Sequence, residues 1–131
     1  MKRTLIFAAL FLLATTASAA DPNLAGSRWS IETTIMVPGM APMPGGKFDH
    51  CFDDSGVPYQ EEPGQDCKIV HQQRSGNKVS WEIRCKGEDG ASSMKGVSTY
   101  QGDSMTSDVE MIADGHTMKM KMKGKRLGPC Q

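Results

Sequence analysis

The chain has no excess of charge and few aromatic rings. Lysine and arginine number 15, aspartate and glutamate also 15, so the formal balance is zero. A nucleic-acid binder carries a basic excess or stripe, and the balance argues against that class. Aromatics are 6% of the residues. After residue 20 no apolar run approaches the ~20 residues that cross a bilayer as a helix, which excludes a polytopic helical membrane protein. No C-x-x-C pair occurs, which speaks against a thioredoxin-like redox role and the usual four-thiolate zinc site. No G-x-S-x-G, phosphate loop or nucleotide fingerprint is present, so the common routes to a hydrolase or a nucleotide enzyme are missing. A calcium loop would want D-x-D-x-D-G. Asp53-Asp54 and Glu61-Glu62 lack that pattern and read as solvated loop charges. No window shows a clean 3.6-residue period, and there is neither a solenoid repeat nor a dividing linker.

The amino terminus has a recognisable plan. Lys2 and Arg3 precede an unbroken apolar run over residues 5–14, and Ala17-Ser18-Ala19 offers small residues for cleavage. This three-part pattern predicts a signal peptide over residues 1–20, removed near Ala19 or Ala20. The apolar run is too short to span a bilayer comfortably, and no cysteine follows it to accept a lipid. The expectation is a periplasmic domain over residues 21–131. Loss of Lys2 and Arg3 from the 15 basic residues leaves 13 against 15 acidic ones.

All four cysteines lie in that domain. An even number in a small exported chain predicts two disulfides. Ser75-Gly76-Asn77-Lys78 is a hairpin turn signal between residues 67–74 and 79–85. Cys67 and Cys85 stand equally far from Gly76, so a hairpin centred there sets them face to face. In that register Ile69 and His71 join Cys67 opposite Ile83 and Trp81, which makes His71 an inner residue. Cys51 is then left for Cys130.

Period-two alternation recurs along the chain. Trp29, Ile31, Thr33, Ile35 and Val37 share a face; so do Val79, Trp81, Ile83 and Cys85, and Met105, Ser107, Val109 and Met111. Residues 116–123 set His116, Met118, Met120 and Met122 against Lys119, Lys121 and Lys123. Gly102-Asp103 and Asp114-Gly115 supply turns. Residues 36–47 and 53–66 read as loops, with a short strand near residues 47–52 between them. The expected fold is all-β: an antiparallel meander that curls into a small barrel, open or closed, stapled by disulfides.

Several stretches together resemble a bacterial family of small exported proteins, domain of unknown function family 3617. They are Trp29-Ser30-Ile31-Glu32-Thr33-Thr34, the Met/Pro loop, Cys51, Cys67, the run from Gly76 through Trp81 to Cys85, Gly102-Asp103-Ser104, and the ending from Gly124 to Cys130. The resemblance implies export, a β-rich fold and paired cysteines. It implies no activity and no catalytic residues.

Two methionine groups are the candidate sites. His116, Met118, Met120 and Met122 could serve soft Cu(I), for which thioethers and imidazole are suitable ligands. Same-face neighbours on one strand sit ~7 Å apart, too far for a single strand to wrap one ion, so this stripe reads first as strand core. Met36, Met40 and Met43, among prolines and glycines, are a candidate contact loop for a ligand or partner. His50 beside Cys51 loses its thiol partner once Cys51 is oxidised. Lys119, Lys121, Lys123, Lys125 and Arg126 read as a solubilising face. The resulting expectation is a non-enzymatic exported module, with no cofactor, that binds a small apolar ligand or an envelope component. A Cu(I) carrier is the alternative.

Overall fold

A computed structural model describes residues 24–131. The segment read as a signal peptide lies outside the described residues. Seven strands follow in chain order: β1 (Ser27–Met36), β2 (Met43–Cys51), β3 (Gln65–Ser75), β4 (Lys78–Gly87), β5 (Gly90–Gln101), β6 (Ser104–Ala113) and β7 (His116–Pro129). They form one antiparallel sheet in the order β2-β1-β7-β6-β5-β4-β3. Strands β3 to β7 are a meander, to whose last strand the β1–β2 hairpin adds. Tight turns set this register. Ser75 faces Lys78, Gln101 faces Ser104 and Ala113 faces His116 across two-residue loops. Asp114 and Gly115 both take positive φ, 52° and 74°, the mirror-image turn whose twist matches its flanking strands.

Alternation writes the core onto one face. Trp29 and Ile31 of β1, Val79, Trp81, Ile83 and Cys85 of β4, Tyr100 of β5, Met105 and Val109 of β6 and Met122 of β7 are all buried. The sheet is curled about that face. Trp29 and Tyr100 stand on β1 and β5, with β7 and β6 between them, about 14 Å apart in a flat sheet. Their ring centroids are nevertheless 5.9 Å apart. Glycines make room for this: a Cβ on Gly96 would fall 2.5 Å from the Trp81 ring, and one on Gly124 would fall 2.9 Å from Met105. The buried tryptophan and serine polar groups are partnered. Trp81 Nε1 donates to Ser98 Oγ at 3.0 Å, Ser98 and Ser107 hydroxyls pair at 2.9 Å, and Trp29 Nε1 donates to Ser27 Oγ at 2.9 Å.

Closure stops short of a barrel. β2 and β3 are the two ends of the strand order and pair with one neighbour each. Residues 52–64 carry the chain from one edge to the other. Phe52, Val57 and Pro58 are buried, and Tyr100 Oη donates to Gly56 O at 2.6 Å, so this connection packs as part of the core. Cys51 bonds Cys130, and Cys67 bonds Cys85 directly across β3 and β4.

Two sequence expectations are corrected. Residues 36–47 are not one loop: Met36 ends β1, Met43 opens β2, and only Met40 lies in the turn. The β3–β4 register slips between Ile69 and His71, so Gln72 rather than His71 faces Trp81. His71 pairs with Glu82 instead and is exposed. A β-bulge adds one residue and reverses the face of everything beyond it.

Candidate functional site: two recesses on opposite faces

The larger recess is a groove of about 620 Å³ that crosses the sheet. Its walls come from two adjacent rows of residues. One is Met36, Lys119, Glu110, Lys95, Glu82 and His71; the other includes Lys121, Asp108, Val97 and Ser80. Between these rows lie Met120, Val109, Gly96 and Trp81; the side chains of Met120, Val109 and Trp81 turn to the core face. Successive strand residues point to opposite sides. The groove therefore lies on the outer face, with wall side chains over a floor of main chain.

Charge in the groove is internally matched. Lys95 Nζ is 3.3 Å from Glu110 Oε1, and Lys121 Nζ is 3.8 Å from Asp108 Oδ1. Such pairs at the surface contribute little stability, ~0–1 kcal/mol. They hold charged heads beside each other and leave lysine stems to line the trough with Met36 and Val97. Val97 is 46% exposed, which is uncommon for a β-branched residue in an inner strand of a sheet.

The second recess, about 260 Å³, is on the core face at the far end of β5 and β6, where Ser92, Met111 and Ala113 meet the turns around residues 62–65 and 87–90. A row of methionines passes beside it. Register pairs Ile83 with Met94, Met94 with Met111, and Met111 with Met118, so three methionines stand side by side on β5, β6 and β7. In the next row Ile35 of β1 faces both Met43 and Met120.

The stripe on β7 is thus graded rather than uniform. Met122 is buried, Met120 is partly buried against the core, Met118 is 37% exposed, and His116 is exposed at the β6–β7 turn. The four thus stand at different depths along one strand. The cross-strand partners Met94 and Met111 were missed by sequence reasoning, which weighed one strand at a time; only the strand register brings them to Met118. Of the loop candidates, Met36 belongs to the outer groove, Met43 lies beside Ile35, and Met40 is 59% exposed.

His50 faces inward beside Phe52, ring centroids 4.7 Å apart. Burial holds its pKa below 6.5, with Asp53 opposing that shift. Its neighbour Cys51 is in a disulfide, so no thiol–imidazole pair exists. Among the described residues no three histidine, cysteine, aspartate or glutamate side chains are placed to hold a metal ion. No helix of the described residues is long and apolar enough to cross a membrane.

The family described as "Protein of unknown function (DUF3617)" matches residues 25–130. The chain belongs to that family. The match takes in every strand and all four cysteines. No curated protein and no solved structure matches the chain.

Proposed function

We propose that this member of the family is a non-enzymatic binding module of the periplasm that holds an apolar or amphipathic ligand in its outer groove. The signal-peptide pattern and the two disulfides support an exported, oxidising setting. The observation that carries the binding reading is the groove itself. Its volume is within the ~300–1,000 Å³ of small-molecule sites, and its surface combines Met36, Val97 and lysine stems with flanking charged heads. Such a surface suits a molecule with an acyl or aromatic body and a polar end. The curled interior offers less, because Trp29, Trp81, Tyr100 and Phe52 fill it.

Titration with a fluorescent fatty-acyl probe tests this reading. Saturable binding is expected for the wild type, weakened at least tenfold in Val97→Asp. Ile112→Asp, also at an exposed site but outside the groove, should bind within twofold of wild type. Absence of saturable binding, or equal losses in both variants, would overturn the assignment.

A further inference from the structure

We propose that Met94, Met111 and Met118 form a binding site for a soft monovalent cation, Cu(I) or its analogue Ag(I). This site is on the core face, away from the outer groove, and does not rest on the ligand reading given above.

The single-strand spacing that disfavours a metal along β7 does not apply across strands. Met111 is the register partner of both Met94 and Met118. Directly opposed residues have Cβ atoms only ~4.5–5.5 Å apart. The two outer methionines start about 9.6 Å apart, twice the strand spacing. Around a metal at about 2.3 Å from each sulfur, the sulfurs can stand up to about 4.6 Å apart. The remaining gap of about 5 Å is shared by two unbranched, three-torsion side chains. All three project from the same, inner side of the sheet. Three thioethers are a soft, neutral donor set of the kind Cu(I) prefers.

The surroundings favour a cation. Met111 lines the smaller recess, whose walls also carry Glu62, Glu88, Asp89 and Asp114 and include no lysine, arginine or histidine. Neutral thioethers leave the ion its full charge, so carboxylates at the mouth attract it through a partly exposed path. The lysines of β7 do not oppose this, because Lys119 and Lys121 line the outer groove on the opposite face. Exposure also fits. Met118 is 37% exposed, and Met111 is only partly buried, so these thioethers are reachable from solvent, whereas Met105 and Met122 are sealed in the core.

The test uses purified protein with its disulfides intact and methionine methyls labelled for NMR. Ag(I) is titrated first because it needs no reductant; Cu(I) affinity then follows from competition with a chromogenic chelator. One equivalent of Ag(I) is expected to shift the methyls of Met94, Met111 and Met118 and leave those of Met40 and Met105 in place. Met111→Leu should weaken Cu(I) binding at least tenfold, and Met120→Leu less than twofold. Leucine nearly conserves methionine volume; should Met111→Leu fail to fold, the wild-type shift map alone decides. No stoichiometric binding, shifts centred on Met36, Met40 and Met43, or undiminished binding by folded Met111→Leu would overturn the proposal. So would a response to Ca(II) at least as strong as that to Ag(I), which would mean that the carboxylates alone are at work.

Discussion

A methionine in this protein has a role set by its depth in the curl. Met122, 7% exposed, lies over the centre of the sheet, Met120 borders the core, and Met118 reaches the rim. Truncation leaves a cavity only where neighbours cannot move in and water cannot enter. Alanine substitution should therefore cost most at Met122, about 2–5 kcal/mol, less at Met120, and least at Met118, under about 1 kcal/mol. Urea denaturation of the three variants checks the order; equal costs would mean that Met118 is as enclosed as Met122. The two tryptophans illustrate the converse constraint. Each keeps its N–H bonded to a buried serine and its ring over a glycine, Trp81 over Gly96 and Trp29 near Gly124. Each needs a hydroxyl at one neighbour, and Trp81 also needs no Cβ at Gly96; at Gly124 it is Met105 that a Cβ would strike.

At the scale of the element, the strands are long and their ends are fastened in two ways. The Cys67–Cys85 bridge joins neighbouring strands 18 residues apart in sequence, while Cys51–Cys130 joins the end of β2 to the segment after β7 across 79 residues. Loop-closure entropy grows with the logarithm of the loop. On that account removing the longer bridge by paired Cys→Ala changes should cost about 4.5 kcal/mol, and removing the shorter about 3 kcal/mol. Chemical denaturation of the two double variants checks the ranking, and a larger loss at Cys67–Cys85 would show that packing of the buried Cys85 outweighs chain entropy. The β3 bulge has a different consequence. It turns His71 outward toward Glu82 and the outer groove, which replaces an expected core residue with a wall of the candidate ligand site.

For the whole molecule, the unusual feature is an open sheet whose interior is completed by a connection rather than by a closing ladder. Residues 52–64 run between the two edge strands, and Tyr100 Oη holds them through Gly56 O. Gln72 Nε2 adds a second tie, to Ser55 O at 2.9 Å. Burial drives the Tyr100 pKa well above the ordinary phenol range, so the hydroxyl stays protonated and remains a donor. Tyr100→Phe keeps the ring among Trp29 and Phe52 but leaves the Gly56 carbonyl without this partner. A cost of about 1–3 kcal/mol is expected for a buried acceptor left unpaired. Hydrogen exchange should quicken in residues 52–59 more than in β5 and β6. Uniform exchange across the chain would show that the connection does not open on its own.

The division between sequence and tertiary structure follows from the range of the forces involved. Alternation, glycine turns and cysteine parity are local, so the all-β class, most of the hairpins and both disulfide partners were legible residue by residue. The inner positions of Trp29, Trp81, Val109 and Met122 followed from the same two-residue period. Three features were not legible, because each depends on atoms distant in sequence. The bulge at residues 69–71 has no local signature, since Ile69 and His71 would alternate equally well in a regular strand. The outer groove needs six strands in register before Met36 of β1 and His71 of β3 belong to one surface. The Met94–Met111–Met118 row exists only after β5, β6 and β7 pair, because side chains up to 24 residues apart become neighbours only through the ladder. Local alternation determined which face most side chains take, His71 beyond the bulge excepted; tertiary pairing decided which side chains share it.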